Sequence, residues 1–187
     1  MVLPCPFSPL SPAVMGGDDG FMCLAYNESL LAWKEDEVPV GAVLVLDGKV
    51  LICEHNRVRQ NGDPSAHGEM LALRSAAKLL GDWRLCGCTL YTTKEPCPMC
   101  SGACAMARVA RVVFGVADPL MGCLGGCGHD LSQVATFYHR FTAKGGVLAN
   151  EIRPVLRTFF QQRRNGSIKG VAKNQTFPLT NFHPRPN

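Results

Sequence analysis

No apolar run in this 187-residue chain approaches the roughly 18 residues that a membrane-spanning helix needs, so no transmembrane helix is read. No Lys or Arg precedes Asp18, and prolines interrupt the opening stretch MVLPCPFSPLSPAVMGG. It lacks the charged start of a secretory signal and the arginines of a transit peptide, which sets the cytosol as the expected compartment. No internal repeat is visible, which argues against a solenoid. Charged residues are few, at 18%, but hydrophobic ones reach 47%, the balance of a soluble globular chain rather than a disordered one. One domain with a real core is expected.

What charge there is lies unevenly. Residues 1–69 hold four Lys/Arg against ten Asp/Glu, and residues 70–187 hold fifteen against five. A basic half fits a polyanionic partner, and fits an ordinary solvated surface equally well. The ten cysteines are too clustered, in a chain too long to need staples, for a disulfide framework. Metal ligation or buried thiols are the better readings.

Periodicity divides the chain into an arm (1–17), a domain (18–164) and a tail (165–187) without regular pattern, the arm and tail expected as flexible or disordered. A helix is predicted from Asp19 to about Glu35, capped by Asp18 or Asp19. Strands 40–46 and 49–55 flank Asp47-Gly48, a two-residue hairpin turn. A helix over 66–80 repeats apolar residues at helical spacing. A strand at 88–93, a helix rich in small residues after Pro96, a strand at 108–116, a Gly-rich loop over 117–133 and a weak strand near 146–148 follow. The last helix, about 151–164, sets Ile152, Val155, Leu156, Phe159 and Phe160 against Arg153, Arg157 and Arg164, with Pro154 in its first turn. The order is that of a layered α/β domain.

The chemistry concentrates in two short stretches. EPCPMC places Cys97 and Cys100 at C-x-x-C spacing where a strand turns into a helix, and a helix N-terminus favours the thiolate that binds metal. DPSAHGEMLALR begins another helix with His67 and Glu69. Two thiolates and an imidazole are three ligands of a zinc whose fourth position stays open, the arrangement of a catalytic site. Such a zinc lowers the pKa of water from about 16 to about 7. Glu69, two residues from His67, is placed to carry the proton, provided that the site lies over the end of the helix. Separately, C-x-x-C could be a redox pair or half a structural zinc knuckle, and a lone histidine a surface residue. Together, H-x-E followed by P-C-x-x-C is the signature of zinc-dependent nucleobase deaminases. Cys123, Cys127 and His129 lack an evident fourth ligand and are not read as a second metal site. Cys86, Cys88 and Cys104 are read as buried small residues or incidental thiols.

On EVPVGAVLV, HN at 55–56, DPSAHGEMLALR, TLYTTKEPCPMCSGA, RVVFGVADP and FFQQRR, the chain resembles the bacterial TadA-type tRNA adenosine deaminases over about residues 20–164. The resemblance implies a cytidine-deaminase-like, three-layer α/β/α fold with a central mixed sheet of about five strands flanked by helices. It implies a homodimer that converts adenosine to inosine at wobble position 34 of a tRNA anticodon loop. It assigns one zinc to His67, Cys97 and Cys100, proton transfer to Glu69, the flipped base to Asn56, the neighbouring ribose to Asp118, and the wall of the base pocket to Pro39 and Val40. Arg140, Arg153, Arg157, Arg163 and Arg164 become candidates for phosphate contacts, each of them also readable as a solvated residue. Gly68 in place of alanine, Lys94 in place of an apolar residue, Tyr138 before His139 and the two terminal arms depart from the family pattern. A deaminase of guanine or free nucleosides is the alternative, and a non-catalytic RNA-binding subunit a third, disfavoured by Glu69.

Overall fold

The computed structural model describes residues 3–12, 16–134 and 139–167. Its frame is one five-stranded mixed sheet in the order β2-β1-β3-β4-β5. β1 (Gly41–Leu46) and β2 (Lys49–His55) form the antiparallel hairpin that Asp47-Gly48 predicts. Both turn residues have positive φ, 49° and 73°, as a turn matched to the strand twist requires. β3 (Thr89–Lys94) runs antiparallel to β1, β4 (Arg111–Val116) parallel to β3, and β5 (Thr142–Lys144) parallel to β4.

Each inner strand is buried on both sides because helices cover both faces. On one face Val43, Val45, Tyr91 and Val113 meet Met22, Leu30 and Trp33 of α1 (Gly17–Lys34) and Ile152, Val155 and Phe159 of α5 (Ala149–Ser167). On the other, Ala42, Leu44, Leu90 and Val112 meet Ala72, Leu73 and Ala76 of α3 (Gly68–Leu80) and Cys104 and Ala105 of α4 (Pro98–Met106). Successive strand residues thus go to opposite layers, and each large aliphatic side chain fully buried contributes about 1.5–3 kcal/mol. The result is the expected three-layer α/β/α arrangement. A short α2 (Val58–Asn61) lies in the β2–α3 connection. No helix among the described residues is long and apolar enough to cross a membrane.

Several elements differ from the sequence expectation. α1 is not capped by Asp18 or Asp19: Gly16 is the cap, without a side-chain hydrogen bond. Asp18 instead accepts two hydrogen bonds from the Arg111 guanidinium, at 2.7 and 2.8 Å, one from Lys144 Nζ at 2.8 Å and one from the Tyr91 hydroxyl at 3.0 Å. The fifth strand is Thr142–Lys144, not 146–148. Gly146 and Leu148 take positive φ (92° and 51°), which turns the chain into α5 and drops Val147 into the core. α5 begins at Ala149, so Pro154 sits past its first turn, and the helix continues through residues 165–167, which the sequence assigns to the tail. Residues 3–12, expected as a flexible arm, lie along α1. Trp33 Nε1 donates to the Leu3 carbonyl at 2.9 Å, Asn27 bonds both backbone groups of Leu10, and Phe7 meets Trp33 edge-on. Cys88 and Cys104 are buried as expected, whereas Cys86 is exposed. Tyr138 and residues 168–187 lie outside the described residues.

Candidate active site

Two helices begin at the same place. His67 is the N-cap of α3, with φ −70° and ψ 149°, and Cys97 the N-cap of α4, with φ −72° and ψ 173°. Neither cap is closed by a side-chain hydrogen bond, and Pro98 occupies the first helical position of α4, where its missing N–H costs nothing. The side chains at both caps therefore face inward over converging helix N-termini, whose partial positive charge favours anionic sulfur.

His67 Nδ1 lies 3.7 Å from Cys97 Sγ and 3.6 Å from Cys100 Sγ, and the two sulfurs are 3.6 Å apart. A tetrahedral zinc with Zn–S of about 2.3 Å and Zn–N of about 2.05 Å sets S···S at about 3.8 Å and S···N at about 3.6 Å. The triangle fits zinc and leaves one face open. Among the described residues it is the one group of three potential ligands this close together. The sulfur contact with Cys100 and the His67 ring hold the Cys97 thiol down at about 4 against the opposing effect of burial. The same contact and burial push Cys100 up, and the Cys97 contact raises His67. Such a set is primed to exchange protons for a cation.

Glu69, in the first turn of α3, is 3% exposed, and its Oε2 has no hydrogen-bond partner. Burial raises its pKa. A buried carboxylate oxygen without a partner is costly, and it opens onto a cavity of ≈170 Å³ that His67 and Cys97 also line. Asn56 lines the same cavity. Its Oδ1 accepts the Gly68 N–H at 2.7 Å, which commits the carbonyl and leaves the amide N–H₂ as donors.

The remaining walls differ in part from expectation. Val40 lines the cavity, but Val38 accompanies it rather than Pro39, which is buried elsewhere: residues two apart share a side in extended chain. Asp118 is not among the lining residues. Its carboxylate pairs with Lys94, which is, and its Oδ1 accepts the Leu120 N–H at 3.0 Å. Burial raises the Asp118 pKa, but the Lys94 hydrogen bond and charge outweigh it, with a net lowering.

Phe160 completes the cavity and is 39% exposed, so it does not belong with the apolar core face of α5. On a 100° wheel it falls within about 60° of Arg153, Arg157 and Arg164, all exposed. The arginine face thus continues into the cavity wall. Arg163 stands apart from that face. It pairs with Asp36, donates to the Asp36 carbonyl at 2.9 Å and lies over the Phe159 ring, tying α5 to the end of α1. Arg140 is exposed at the approach to β5.

The family model for the zinc-binding region of cytidine and deoxycytidylate deaminases matches residues 15–116. A tRNA-specific adenosine deaminase of Bacillus subtilis (strain 168) is 42% identical over 160 residues, 86% of this chain and 98% of that protein. The chain belongs to the tRNA-specific adenosine deaminases. A solved structure from work on A-to-I editing by tRNA:A34 deaminases superposes with a TM-score of 0.70 at 41% identity, covering 73% of this chain and 98% of that one. A guanine deaminase from Nitrosomonas europaea superposes with a TM-score of 0.64 at 21% identity, over 78% of this chain and 85% of that one, and shows a shared fold alone.

Glu95 is a site residue that sequence reasoning missed. It is 2% exposed, lines the cavity and accepts three backbone N–H bonds, from Asp118 (2.9 Å), Leu124 (2.8 Å) and Gly126 (2.8 Å). The available signal was a carboxylate directly before Pro96-Cys97 in a chain whose Gly-rich loop follows β4. Such a loop needs an internal anchor for its N–H groups.

Proposed function

We propose that this chain catalyses the hydrolytic deamination of adenosine to inosine at position 34 of tRNA anticodon loops. The observation that carries the reading is the unpartnered Oε2 of buried Glu69 in the same cavity as the His67–Cys97–Cys100 triangle. A structural zinc site has no use for such an acid.

His67, Cys97 and Cys100 hold one zinc per chain. When bound, the zinc supplies a Lewis acid that makes water nucleophilic at neutral pH. Glu69 would take one proton from the attacking water at its free oxygen and pass it to a ring nitrogen, then take the remaining hydroxyl proton and pass it to the amino group that leaves as ammonia. Burial raises its pKa, which favours the protonated form that can donate. Asn56 turns its amide N–H₂ toward acceptors of the base, while Val38 and Val40 exclude water from one wall. Lys94 and Asp118 form the rim on the ribose side. The base must be flipped out of its stack, which costs least in a single-stranded loop.

Arg153, Arg157 and Arg164, with Phe160 among them, form a basic and aromatic face suited to a single-stranded loop: charges for phosphates, a ring for stacking. Arg140 adds to the basic surface, and Arg163 serves mainly the fold. The working protein is a homodimer. An apolar hollow between α3 and α4, lined by Met70, Leu73, Trp83 and Met106, leaves Trp83 53% and Met106 66% exposed in the single chain.

One assay tests the function: zinc-loaded protein is incubated with an adenosine-34 anticodon stem-loop and, separately, with free guanine. Inosine in the stem-loop is expected. Xanthine from guanine with an unchanged stem-loop would overturn the reading.

A further inference from the structure

The Gly-rich loop over 117–133 carries Cys123 and Cys127, which neither the zinc triangle nor the base cavity uses. Their sulfurs are 3.9 Å apart. His129 does not join them in a ligand group, so a metal is not the chemistry of this pair among the described residues. The thiols differ in access, Cys123 being 5% exposed and Cys127 half-buried.

The backbone around them is folded back on itself. Cys127 N–H donates to the Gly122 carbonyl at 3.0 Å, and Cys123 N–H to the Pro96 carbonyl at 3.0 Å, next to Cys97. Between the two cysteines, the Leu124 and Gly126 N–H groups both point at Glu95 Oε1. A Cβ at Gly122 or Gly126 would come within 2.2 or 2.0 Å of Glu95 Oε2, so the loop closes on this carboxylate as tightly as glycine allows. Gly125 and Gly128, on either side of Cys127, take φ +116° and +85° with open space at their Cβ positions.

We propose that Cys123 and Cys127 are a redox site, a dithiol that closes to an internal disulfide by exchange with a small-molecule disulfide of the glutathione class. The sulfurs must approach by about 1.9 Å to reach a bond of about 2.05 Å, which rotation of the two side chains with a small shift at Gly125 and Gly128 supplies. The more accessible Cys127 thiolate attacks one sulfur of the oxidant and releases one thiol, leaving a mixed disulfide. Cys123, on losing its proton, attacks the Cys127 sulfur and expels the second thiol. Two protein thiols are oxidised by two electrons, one external disulfide is reduced to two thiols, and the two protons go with them. The new bond spans residues 124–126 and therefore cross-links the loop that grips Glu95 and, through it, the Asp118 backbone at the cavity rim.

The test uses full-length, zinc-loaded protein equilibrated in mixtures of reduced and oxidised glutathione, then alkylated, digested with trypsin and weighed. Residues 112–140 form one tryptic peptide with Cys123 and Cys127 as its two cysteines. The expected result is that this peptide loses two hydrogens as the buffer becomes oxidising, while zinc content holds and Cys97 and Cys100 stay reduced. Cys127→Ser should leave Cys123 open to alkylation once the chain is denatured. Full alkylation of both residues in the oxidising buffer would overturn the proposal. So would glutathione retained on Cys127 without closure, or a linked peptide that survives in Cys127→Ser. The readout is mass, so it stands or fails independently of the adenosine reading.

Discussion

Replacing Gly68 by alanine should destabilise this chain, although alanine is the better helix former. Gly68 opens α3 with an ordinary negative φ, so nothing in its backbone angle demands glycine. The substitution gains at most about 0.5–1 kcal/mol from helix propensity and a less entropic unfolded chain. Against that, the new Cβ would lie 3.2 Å from His55 Cα, 3.3 Å from His55 C and 3.3 Å from the Val40 carbonyl oxygen. All three are backbone atoms, and they are locked together. His55 pairs with Gly41 across the hairpin, and Asn56 N–H bonds the same Val40 oxygen at 3.0 Å. The His55 ring is held between Glu28 at 2.7 Å and Glu35 at 3.0 Å. A few tenths of an ångström must therefore come from the strand end itself, an overpacking that costs about 1–3 kcal/mol. The net expectation is a loss of about 1 kcal/mol, a fall of about 2–4 °C in the melting temperature of a domain this size. Because Asn56 grips the Gly68 N–H, the shift should also raise KM more than it lowers kcat. Calorimetry of the zinc-loaded proteins measures the first effect and steady-state kinetics the second. An unchanged or higher melting temperature for Gly68→Ala would refute the reasoning.

Glu69→Gln keeps the shape but removes proton transfer, so turnover should fall by about 10²–10⁴-fold with zinc content unchanged; lost zinc would reassign Glu69 as a ligand. Asp18→Asn removes the anchor of α1 on Arg111 and Lys144 and should cost about 2 kcal/mol at pH 7. The Arg111 and Lys144 hydrogen bonds hold the Asp18 pKa, against burial, well below the ordinary carboxylate value. Its contribution is therefore present above about pH 4 and lost as pH falls below that, so melting curves of Asp18→Asn and the parent should converge in acid. Alanine at Arg153, Arg157 and Arg164 together should flatten the slope of log K against log salt for a stem-loop by about 2, at unchanged melting temperature. Met106→Asp, placed in the apolar hollow between α3 and α4, should turn the sedimenting species from dimer to monomer; a parent that sediments as a monomer would contradict the dimer.

The parts of this protein legible in its sequence are those in which one local rule decides. Asp47-Gly48 can hardly be anything but a two-residue turn, and it fixes the register of β1 and β2 as far as the irregularity between Val45 and Leu44. Runs of β-branched and aromatic residues mark β3 and β4, and two helix caps thirty residues apart bring His67 to Cys97 and Cys100 because both follow strands of one sheet. What was not legible depends on contacts between distant segments. The carboxylate of Glu95 is ordinary until the loop of 118–126 is wrapped around it, and β5, with three exposed residues, has no pattern to read. Pro39 is expected in the wall, and Val38 and Val40 line the cavity, because the pattern does not say which side of the extended segment faces in. Phe160 is the instructive case, since its position was computable from the helical wheel that grouped Arg153, Arg157 and Arg164. Its polarity suggests the core, whereas its angle on the helix sets it among the arginines. A lone aromatic residue on a basic face is a feature that burial does not explain, and here it is the angle, not the hydrophobicity, that puts Phe160 at the cavity.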